Sequence, residues 1–398
     1  MTERIYYTDP ACRSFDAIVV RCFTHEGRDA VVLDRTAFYP TSGGQPFDTG
    51  RLGEARVLDT VDAGDDIVHV VSAPLAAGAR IHGEIDWDRR ADHMQQHTGQ
   101  HVLSAAFERL FANRTVSFHM GAETCSIDLA REAPPDDVER AVDAANQVVW
   151  EDRPVTIRFA SAEEAASLPL RKEPARSGQL RLIDVDGYDL SACGGTHVGR
   201  TGSIGVIAAV SAERFKGGMR VAFVCGARAV RALRLYRDAV AGSVRLLSVL
   251  PQELPAAIDR LQHDGKDMRR ALGRFQEQLA AHEAGRLRAA AEDIGGMRAV
   301  IRALDGWDAA GLKLVASALV SEPGIAAVLF STSSPAFVVV AAGPDAGGGA
   351  QRVDAGRTLR ELTGRFGGRG GGKADLAQGG GLTGSLDEML AAARSLLG

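Results

Sequence analysis

Two short motifs constrain this chain more than any other feature: HTGQH at residues 97–101 and CGGTH at residues 193–197. Two histidines four apart on a helix lie one turn apart on the same face, so both imidazoles can reach one ion. The second motif places a cysteine and a histidine four apart on a glycine-containing bend. Three nitrogens and one sulfur suit tetrahedral zinc better than magnesium or calcium, which prefer oxygen. The predicted zinc ligands are His97, His101, Cys193 and His197.

The first motif alone is weak evidence, because paired histidines on one helix face are also common as packing or surface residues. The combination with the second motif is what favours a metal site. A zinc protease helix would carry glutamate directly after the first histidine as its general base. That position is Thr98 here, which excludes the protease class.

Short apolar runs separated by turn residues occupy residues 16–86, which is typical of a small β-barrel or sandwich. A glycine-rich loop, residues 38–50, interrupts these runs. The predicted strands are Ala17–Val20, Ala30–Leu33, Ala55–Leu58, Ile67–Val71 and Arg80–Ile85.

Over residues 88–111 the apolar residues recur at helical spacing. Alternating strand and helix patterns follow, including a predicted strand at Ile204–Val210. Residues 227–292 read as helix with a break near Pro251 and Pro255, and apolar residues at seven-residue spacing indicate a coiled linker. Asp264-Gly265 interrupts that stripe, and a bend is expected there. The chain is therefore predicted to be α+β, with a β-barrel domain at 1–87, a zinc-containing α+β domain at 88–226, a helical linker at 227–292 and a small glycine-rich α/β domain at 293–398.

The glycine-rich stretch from Gly367 to Lys373 has the spacing of a phosphate-binding P-loop. Ala374 stands where that motif needs a serine or threonine for magnesium, and a helical pattern precedes it in place of a strand. Both departures argue against a P-loop. Two interpretations stay open: a mobile glycine loop, or a backbone that approaches nucleic-acid phosphates beside Arg365, Arg369 and Lys373.

Composition sets the remaining bounds. The net charge of -5 argues against indiscriminate binding to nucleic acid but allows a local basic face. The five cysteines are odd in number and scattered, so no disulfide framework is expected and a reducing cytoplasm fits. No apolar run approaches the length of a membrane span, and no membrane association is predicted.

Three motifs together resemble a known family: FYPTSGGQPFDTG at 38–50, HTGQH at 97–101 and CGGTHV at 193–198. In this order they are similar to the editing domain of alanyl-tRNA synthetases and to the freestanding alanyl-tRNA editing proteins that carry this domain alone. The C-terminal segment resembles the DHH-associated domain that follows the editing domain in those synthetases. In that family this domain is linked to binding tRNA and to dimerisation.

The resemblance covers nearly the whole chain and implies a zinc-dependent hydrolase that removes serine from Ser-tRNA(Ala). Gly-tRNA(Ala) is a second candidate substrate, and a homodimer through the C-terminal half is a further expectation. The barrel begins close to Met1 and leaves no room for an aminoacylation domain, so a freestanding editor that acts in trans is expected. Its location is expected to be cytoplasmic.

The resemblance also suggests roles for residues of the 38–50 loop. Thr41 is expected to bond the serine hydroxyl and Gln45 to position the ester or the water, while Gly43 and Gly44 let the chain turn tightly. His93 is expected to support a ligand or the acceptor end, and a purely structural histidine is equally compatible. The predicted tRNA contacts, each of which could also be a solvated charge, are Arg89, Arg90, Arg171, Lys172, Arg365, Arg369 and Lys373.

Two other functions compete with the hydrolase. Four protein ligands are typical of a closed, structural zinc, so a tRNA-binding or scaffold protein with a structural zinc stays open. A phosphoesterase of the DHH type would need an Asp-His-His run. The nearest match, Asp92-His93-Met94, lacks the second histidine.

Overall fold

The computed structural model of the chain describes residues 1–171, 179–347 and 353–398. The chain divides into two compact units, Met1–Ser243 and Val244–Gly398. Both units combine helices with sheets, which confirms the mixed α+β class. Within the described residues, no helix is both long and apolar enough to cross a membrane.

The first unit begins with eight strands: β1 (Glu3–Arg4), β2 (Ser14–His25), β3 (Arg28–Leu33), β4 (Arg35–Thr36), β5 (Gly50–Leu52), β6 (Ala55–Ala63), β7 (Asp66–Val71) and β8 (Arg80–Ile85). Six of them close into a barrel in the order β2-β3-β7-β6-β5-β8, because β8 pairs back to β2. Alternation places one face of each strand inside, as with the buried Phe15, Ala17 and Val19 of β2. The sequence analysis missed β5, which is too short to show an alternating pattern.

Helix α1 (Trp87–Phe111) lies in the core of the first unit, since nearly every residue from His93 to Phe107 is buried. Close packing on all sides requires a small residue within the helix. A Cβ atom at Gly99 would overlap the sulfur of Cys225, so the glycine of the HTGQH motif lets a strand approach the helix.

The remaining elements of this region are β9 (Thr115–Met120), β10 (Cys125–Leu129), α2 (Pro135–Trp150), β11 (Val155–Ala160), α3 (Ala162–Ala166), β12 (Leu180–Val185), β13 (Asp189–Ala192), β14 (Ile207–Phe215) and β15 (Gly218–Cys225). They form two antiparallel sheets, ordered β14-β15-β10-β9 and β11-β12-β13. The strand predicted to begin at Ile204 begins instead at Ile207. Residues Thr201–Ile204 form a 3-10 turn that ends at Gly205, whose φ of 85° favours glycine.

Two long helices follow, α4 (Ala227–Leu247) and α5 (Leu254–Ala289), separated by a 3-10 turn at Pro251–Glu253. The break near the prolines is as predicted. Helix α5 continues without interruption through Gly265, and the chain leaves the helix before Glu292. The apolar stripe of α5 is exposed at Ile258, Leu261, Met268, Leu272, Phe275 and Leu279.

The second unit is built on a six-stranded mixed sheet. Its elements are β16 (Glu292–Ile294), β17 (Met297–Leu304), α6 (Ala309–Leu319), β18 (Ile325–Ser331), β19 (Ala336–Ala342), α7 (Ala355–Phe366), β20 (Arg369–Gly372), β21 (Leu376–Leu382) and α8 (Leu386–Leu397). The order is β16-β17-β18-β19-β21-β20, with only β17 and β18 parallel. The glycine-rich stretch is therefore a hairpin of β20 and β21, and the mobile-loop interpretation is wrong for these residues.

Candidate metal centre

Four side chains from the two motifs meet in the first unit. His97 and His101 lie one turn apart on α1, while Cys193 and His197 lie on the bend after β13. Their ligand atoms all fall within 4.8 Å of one another, and Cys193 Sγ is 3.4 Å from Nε2 of both His97 and His197. Zinc–sulfur and zinc–nitrogen bonds of about 2.3 and 2.1 Å in a tetrahedron separate such atoms by about 3.6 Å. The cluster could therefore hold a metal ion of this size.

Each of the three imidazoles has a hydrogen-bond partner at Nδ1. The three pairs are Gln45 Oε1 with His97 Nδ1 at 2.8 Å, Asp189 Oδ2 with His101 Nδ1 at 3.0 Å, and Thr98 Oγ1 with His197 Nδ1 at 3.2 Å. A ring that donates from Nδ1 keeps the lone pair of Nε2 for a metal ion. These partners fix the orientation of all three rings. The oxygens of Gln45 and Asp189 can only accept, so they favour the tautomer that a metal requires at His97 and His101.

Gln45 is a buried support for a ligand. In addition to its contact with His97, its Oε1 accepts the backbone N–H of Thr196 at 3.1 Å, and its Nε2 donates to the Thr196 hydroxyl at 2.8 Å. Both ends of the amide are therefore occupied. Gln45 therefore supports a ligand and the CGGTH bend. Because its amide nitrogen carries a second N–H, a role in positioning the ester or the water stays a prediction.

Asp189 connects the metal centre to Arg171, which was predicted to contact tRNA. Burial raises the pKa of Asp189, but its hydrogen bond to His101 and the charge of Arg171 outweigh burial and lower the pKa to about 2. Arg171 Nε donates to Asp189 Oδ1 at 2.5 Å, so the guanidinium is engaged within the protein. The prediction that Arg171 contacts tRNA is corrected accordingly: its guanidinium binds Asp189. Lys172 lies outside the described residues.

Cys193 is the only one of the four ligands with partial exposure, since the three histidines are buried. Burial raises the pKa of a thiol, yet the neighbouring His97 lowers the pKa of Cys193 well below its ordinary value. The thiolate is the form that binds metals, and the cluster favours it. Burial lowers the pKa of His197 to about 3, so its ring is neutral and able to ligate.

The bend that carries Cys193 needs glycine at its third position. A Cβ atom at Gly195 would overlap the imidazole of His97, whereas one at Gly194 would approach Tyr7 no closer than 3.8 Å. The buried Arg181 holds the bend in place. Its Nη1 donates to the carbonyl oxygens of Cys193 and Gly195, at 2.7 and 2.9 Å.

The predicted substrate loop reaches the centre through Gln45. Gly43 and Gly44 form a tight turn with φ of 58° and 85°, a conformation that glycine adopts with little strain. Thr41 is exposed, and its hydroxyl oxygen accepts the backbone N–H of Phe47 at 3.1 Å. The hydroxyl proton of Thr41 can still be donated.

The basic pair at the start of α1 does not form a basic surface. Arg90 is fully buried, pairs with the buried Asp48, and donates to the carbonyl oxygens of Pro10 and Ala37. It cannot reach a phosphate, so the predicted tRNA contact is wrong for Arg90. Arg89 is half-buried and its Nε donates to the carbonyl of Phe47 at 2.9 Å, which leaves part of its guanidinium at the surface.

His93 lies one turn before His97 and is buried. Its Nδ1 has no hydrogen-bond partner within the described part of the chain. Burial lowers the pKa of His93 to about 4, so the ring is neutral at pH 7. A supporting role for this ring stays a prediction.

The three predicted contacts of the second unit are exposed. Arg365 lies in the last turn of α7, Arg369 begins β20, and Lys373 follows β20. The end of α7 and the hairpin therefore present these cations to solvent beside exposed glycines. Binding to tRNA stays a prediction for all three.

Sequence reasoning missed Thr98, Thr196 and Asp189. The two threonines lie inside the motifs, next to ligands, so their positions could have suggested a supporting role. Asp189 has no such signal, because the geometry of the β12–β13 hairpin is what brings its carboxylate to His101.

A barrel joined to an α+β fold around a three-histidine, one-cysteine centre defines the structural class, and comparison with known proteins shows what the chain is similar to. Residues 14–89 match tRNA synthetases class II (A), residues 180–220 match the threonyl and alanyl tRNA synthetase second additional domain, and residues 296–398 match the DHHA1 domain. The chain is thus alanyl-tRNA synthetase-like, because three of its segments match models of domains found in such synthetases.

Individual relatives agree. The chain is 35% identical to the alanine–tRNA ligase of Natronomonas pharaonis over 100% of its own length and 44% of that protein. It is 32% identical to the alanine–tRNA ligase of Pyrococcus furiosus over 95% of its own length and 42% of that protein. The chain therefore spans less than half the length of these ligases. The solved C-Ala domain of Aquifex aeolicus alanyl-tRNA synthetase is similar to 27% of the chain and is 96% covered, at 23% identity and a TM-score of 0.25.

Proposed function

We propose that this protein is a zinc-dependent hydrolase that deacylates Ser-tRNA(Ala), with Gly-tRNA(Ala) as a second substrate. The observation that carries the proposal is the cluster of His97, His101, Cys193 and His197, in which every imidazole is held at Nδ1. This cluster lies in a chain that matches the threonyl and alanyl tRNA synthetase second additional domain. A bound zinc would supply Lewis acidity toward an ester carbonyl and its attacking water.

The protein's own residues would orient the substrate. Because Cys193 is the one partly exposed ligand, the ester would approach from that side. Alanine is smaller than serine, so size cannot exclude the correct Ala-tRNA(Ala). Discrimination requires a group that bonds the serine hydroxyl and is left unpaired by alanine. Thr41 is the proposed group, since its hydroxyl proton can be donated.

Affinity for tRNA is assigned to the second unit. The exposed cations Arg365 at the end of α7 and Arg369 and Lys373 on the β20–β21 hairpin would contact phosphates, and Arg89 is a secondary candidate in the first unit. Pairing of two copies through the C-terminal half stays a prediction.

The proposal is tested by incubating the purified, zinc-loaded protein with labelled Ser-tRNA(Ala) and Ala-tRNA(Ala) and following loss of the label. We expect the serine ester to be removed faster than its spontaneous hydrolysis and the alanine ester to be spared. A protein that binds zinc and tRNA but leaves the serine ester intact would instead be a tRNA-binding protein with a structural zinc.

Removal of the thiolate tests the metal assignment. In Cys193→Ala the softest ligand is lost, so we expect zinc content and deacylation to fall together. Elemental analysis of the purified variant measures the zinc. Cys22→Ala, which removes an exposed thiol of the barrel strand β2, is the matched control and should retain both. A full zinc complement in Cys193→Ala would contradict the ligand set.

A further inference from the structure

One aromatic side chain lies against the metal centre without being a ligand. Phe118 belongs to β9, the edge strand of its sheet, and its ring stacks on the imidazole of His97 with centroids 5.4 Å apart and an interplanar angle of 29°. Its strand neighbour Met120 is buried, whereas Val116, on the same face of the strand, is exposed. Phe118 thus lies where this face of β9 passes from the core to the surface.

The same ring supports the turn of the predicted substrate loop. A Cβ atom at Gly44 would lie 3.0 Å from the carbonyl oxygen of Phe118 and 3.1 Å from its Cδ1. The Gly44 carbonyl in turn accepts the backbone N–H of Met120 at 3.3 Å. Phe118 therefore contacts both the loop that carries Thr41 and a histidine of the cluster.

The ring is only half-buried, although it packs against the main core of the first unit. A phenylalanine that served packing alone would gain most by complete burial. Part of this apolar ring instead remains accessible close to the cluster, in which Cys193 is the one ligand residue that is not fully buried. An acyl group seated between the cluster and the loop would meet the Phe118 ring.

We propose that Phe118 is a specificity-determining residue that forms the wall of the acyl pocket and limits the size of the amino acid that is hydrolysed. This inference rests on the proposed hydrolase function. Thr41 would select for a hydroxyl, and Phe118 would select against side chains larger than serine. Threonine is the critical competitor, because it carries the same hydroxyl and one additional methyl group.

The test compares tRNA(Ala) charged with serine and with threonine, using the zinc-loaded full chain. In Phe118→Ala the space beside His97 increases, so we expect the ratio of kcat/KM for the threonine ester to that for the serine ester to rise about tenfold or more. Phe118→Leu keeps an apolar side chain of intermediate size and should give an intermediate ratio. Zinc content, measured on every variant, verifies that the cluster is intact.

Phe159→Ala is the matched control. It makes the same chemical change at an exposed position of β11 and should keep the wild-type ratio. If zinc-loaded Phe118→Ala and Phe118→Leu still hydrolyse the serine ester and keep the wild-type ratio of kcat/KM values, the role given to Phe118 is overturned. The proposed hydrolase function would be unaffected by that result. A wild-type protein that hydrolyses neither ester would overturn the proposed function and this inference together.

Discussion

Gly195 has no room for a side chain, because a Cβ atom at this position would overlap the ring of His97. Gly195→Ala would place a methyl group where that imidazole lies. We expect the variant to displace His97 from Gln45 and to bind zinc about 10- to 100-fold more weakly, the usual cost of removing a ligand's support. Competition with a chromophoric chelator measures the affinity.

The neighbouring glycine offers a control within the same bend. A Cβ atom at Gly194 would meet Tyr7 only at ordinary van der Waals distance. Gly194→Ala should therefore keep nearly the wild-type zinc affinity. Equal losses in the two variants would show that the bend as a whole, and not the contact with His97, sets the affinity.

The ligands could be predicted from sequence because each pair lies within one contiguous motif whose spacing carries the geometry. The pairing of two nearby arginines could not. Arg90 reads as a surface cation, and its burial depends on Asp48 from the barrel loop. Arg171 likewise reads as a tRNA contact, but it pairs with Asp189, a residue whose place beside His101 follows from strand pairing.

At the scale of elements, periodicity located most helices and strands, including the break between α4 and α5 at the prolines. It failed where glycine dominates. The stretch after Phe366 lacks the apolar alternation of a strand, yet it pairs with β21. A Cβ atom at Gly370 would lie 2.5 Å from the Gln378 carbonyl oxygen, so this close pairing requires glycine. The absence of side chains, which hides the strand in the sequence, is what permits the hairpin.

The barrel carries a buried histidine that makes it sensitive to acid. His69 of β7 is fully buried, its Nε2 lies 2.8 Å from the Thr36 hydroxyl, and burial lowers its pKa to about 4. The unfolded chain takes up this proton near pH 6.5, whereas the folded barrel resists it until about pH 4. The neutral His69 ring therefore costs no stability above pH 6.5. As the pH falls from 6.5 to 4, the free energy of unfolding decreases by about 3 kcal/mol.

Urea unfolding at pH values from 7 to 4 measures this loss. His69→Gln removes the titrating ring while its amide can still meet Thr36, so its unfolding free energy should depend less on pH than that of the wild type. His82→Gln removes an exposed histidine of β8 and should follow the wild-type curve. Parallel curves for all three proteins would show that His69 does not carry the acid sensitivity.

At the scale of the whole molecule, the predicted boundary between barrel and zinc-containing domain does not separate compact units. The contacts of Gln45 with His97 and of Asp48 with Arg90 cross it, and both regions belong to the unit Met1–Ser243. A boundary drawn from changes of periodicity marks where secondary structure changes. It does not detect a loop that completes the site of the next domain.

The division of labour between the units gives the last prediction. Arg365 at the end of α7 and Arg369 and Lys373 on the hairpin are exposed in the second unit, whereas the metal ligands lie in the first. Interactions that act equally in the ground state and the transition state change KM and leave kcat unaltered. Replacing all three cations by glutamine should therefore raise KM for Ser-tRNA(Ala) and preserve kcat. It should also flatten the dependence of log KM on log salt, by roughly 0.9 for each phosphate that the protein no longer neutralises.

The matched control makes the same change of charge on α5 of the same unit, where Lys266, Arg269 and Arg274 are exposed. If the control variant keeps the wild-type KM and salt slope, the rise in KM depends on the position of the three replaced cations and is not explained by net charge. Two outcomes would contradict the assignment: a fall in kcat with KM unchanged, or the same rise in KM in both variants. The first outcome would show that the three cations act in the chemical step. The second would show that they act only through the overall electric field of the protein.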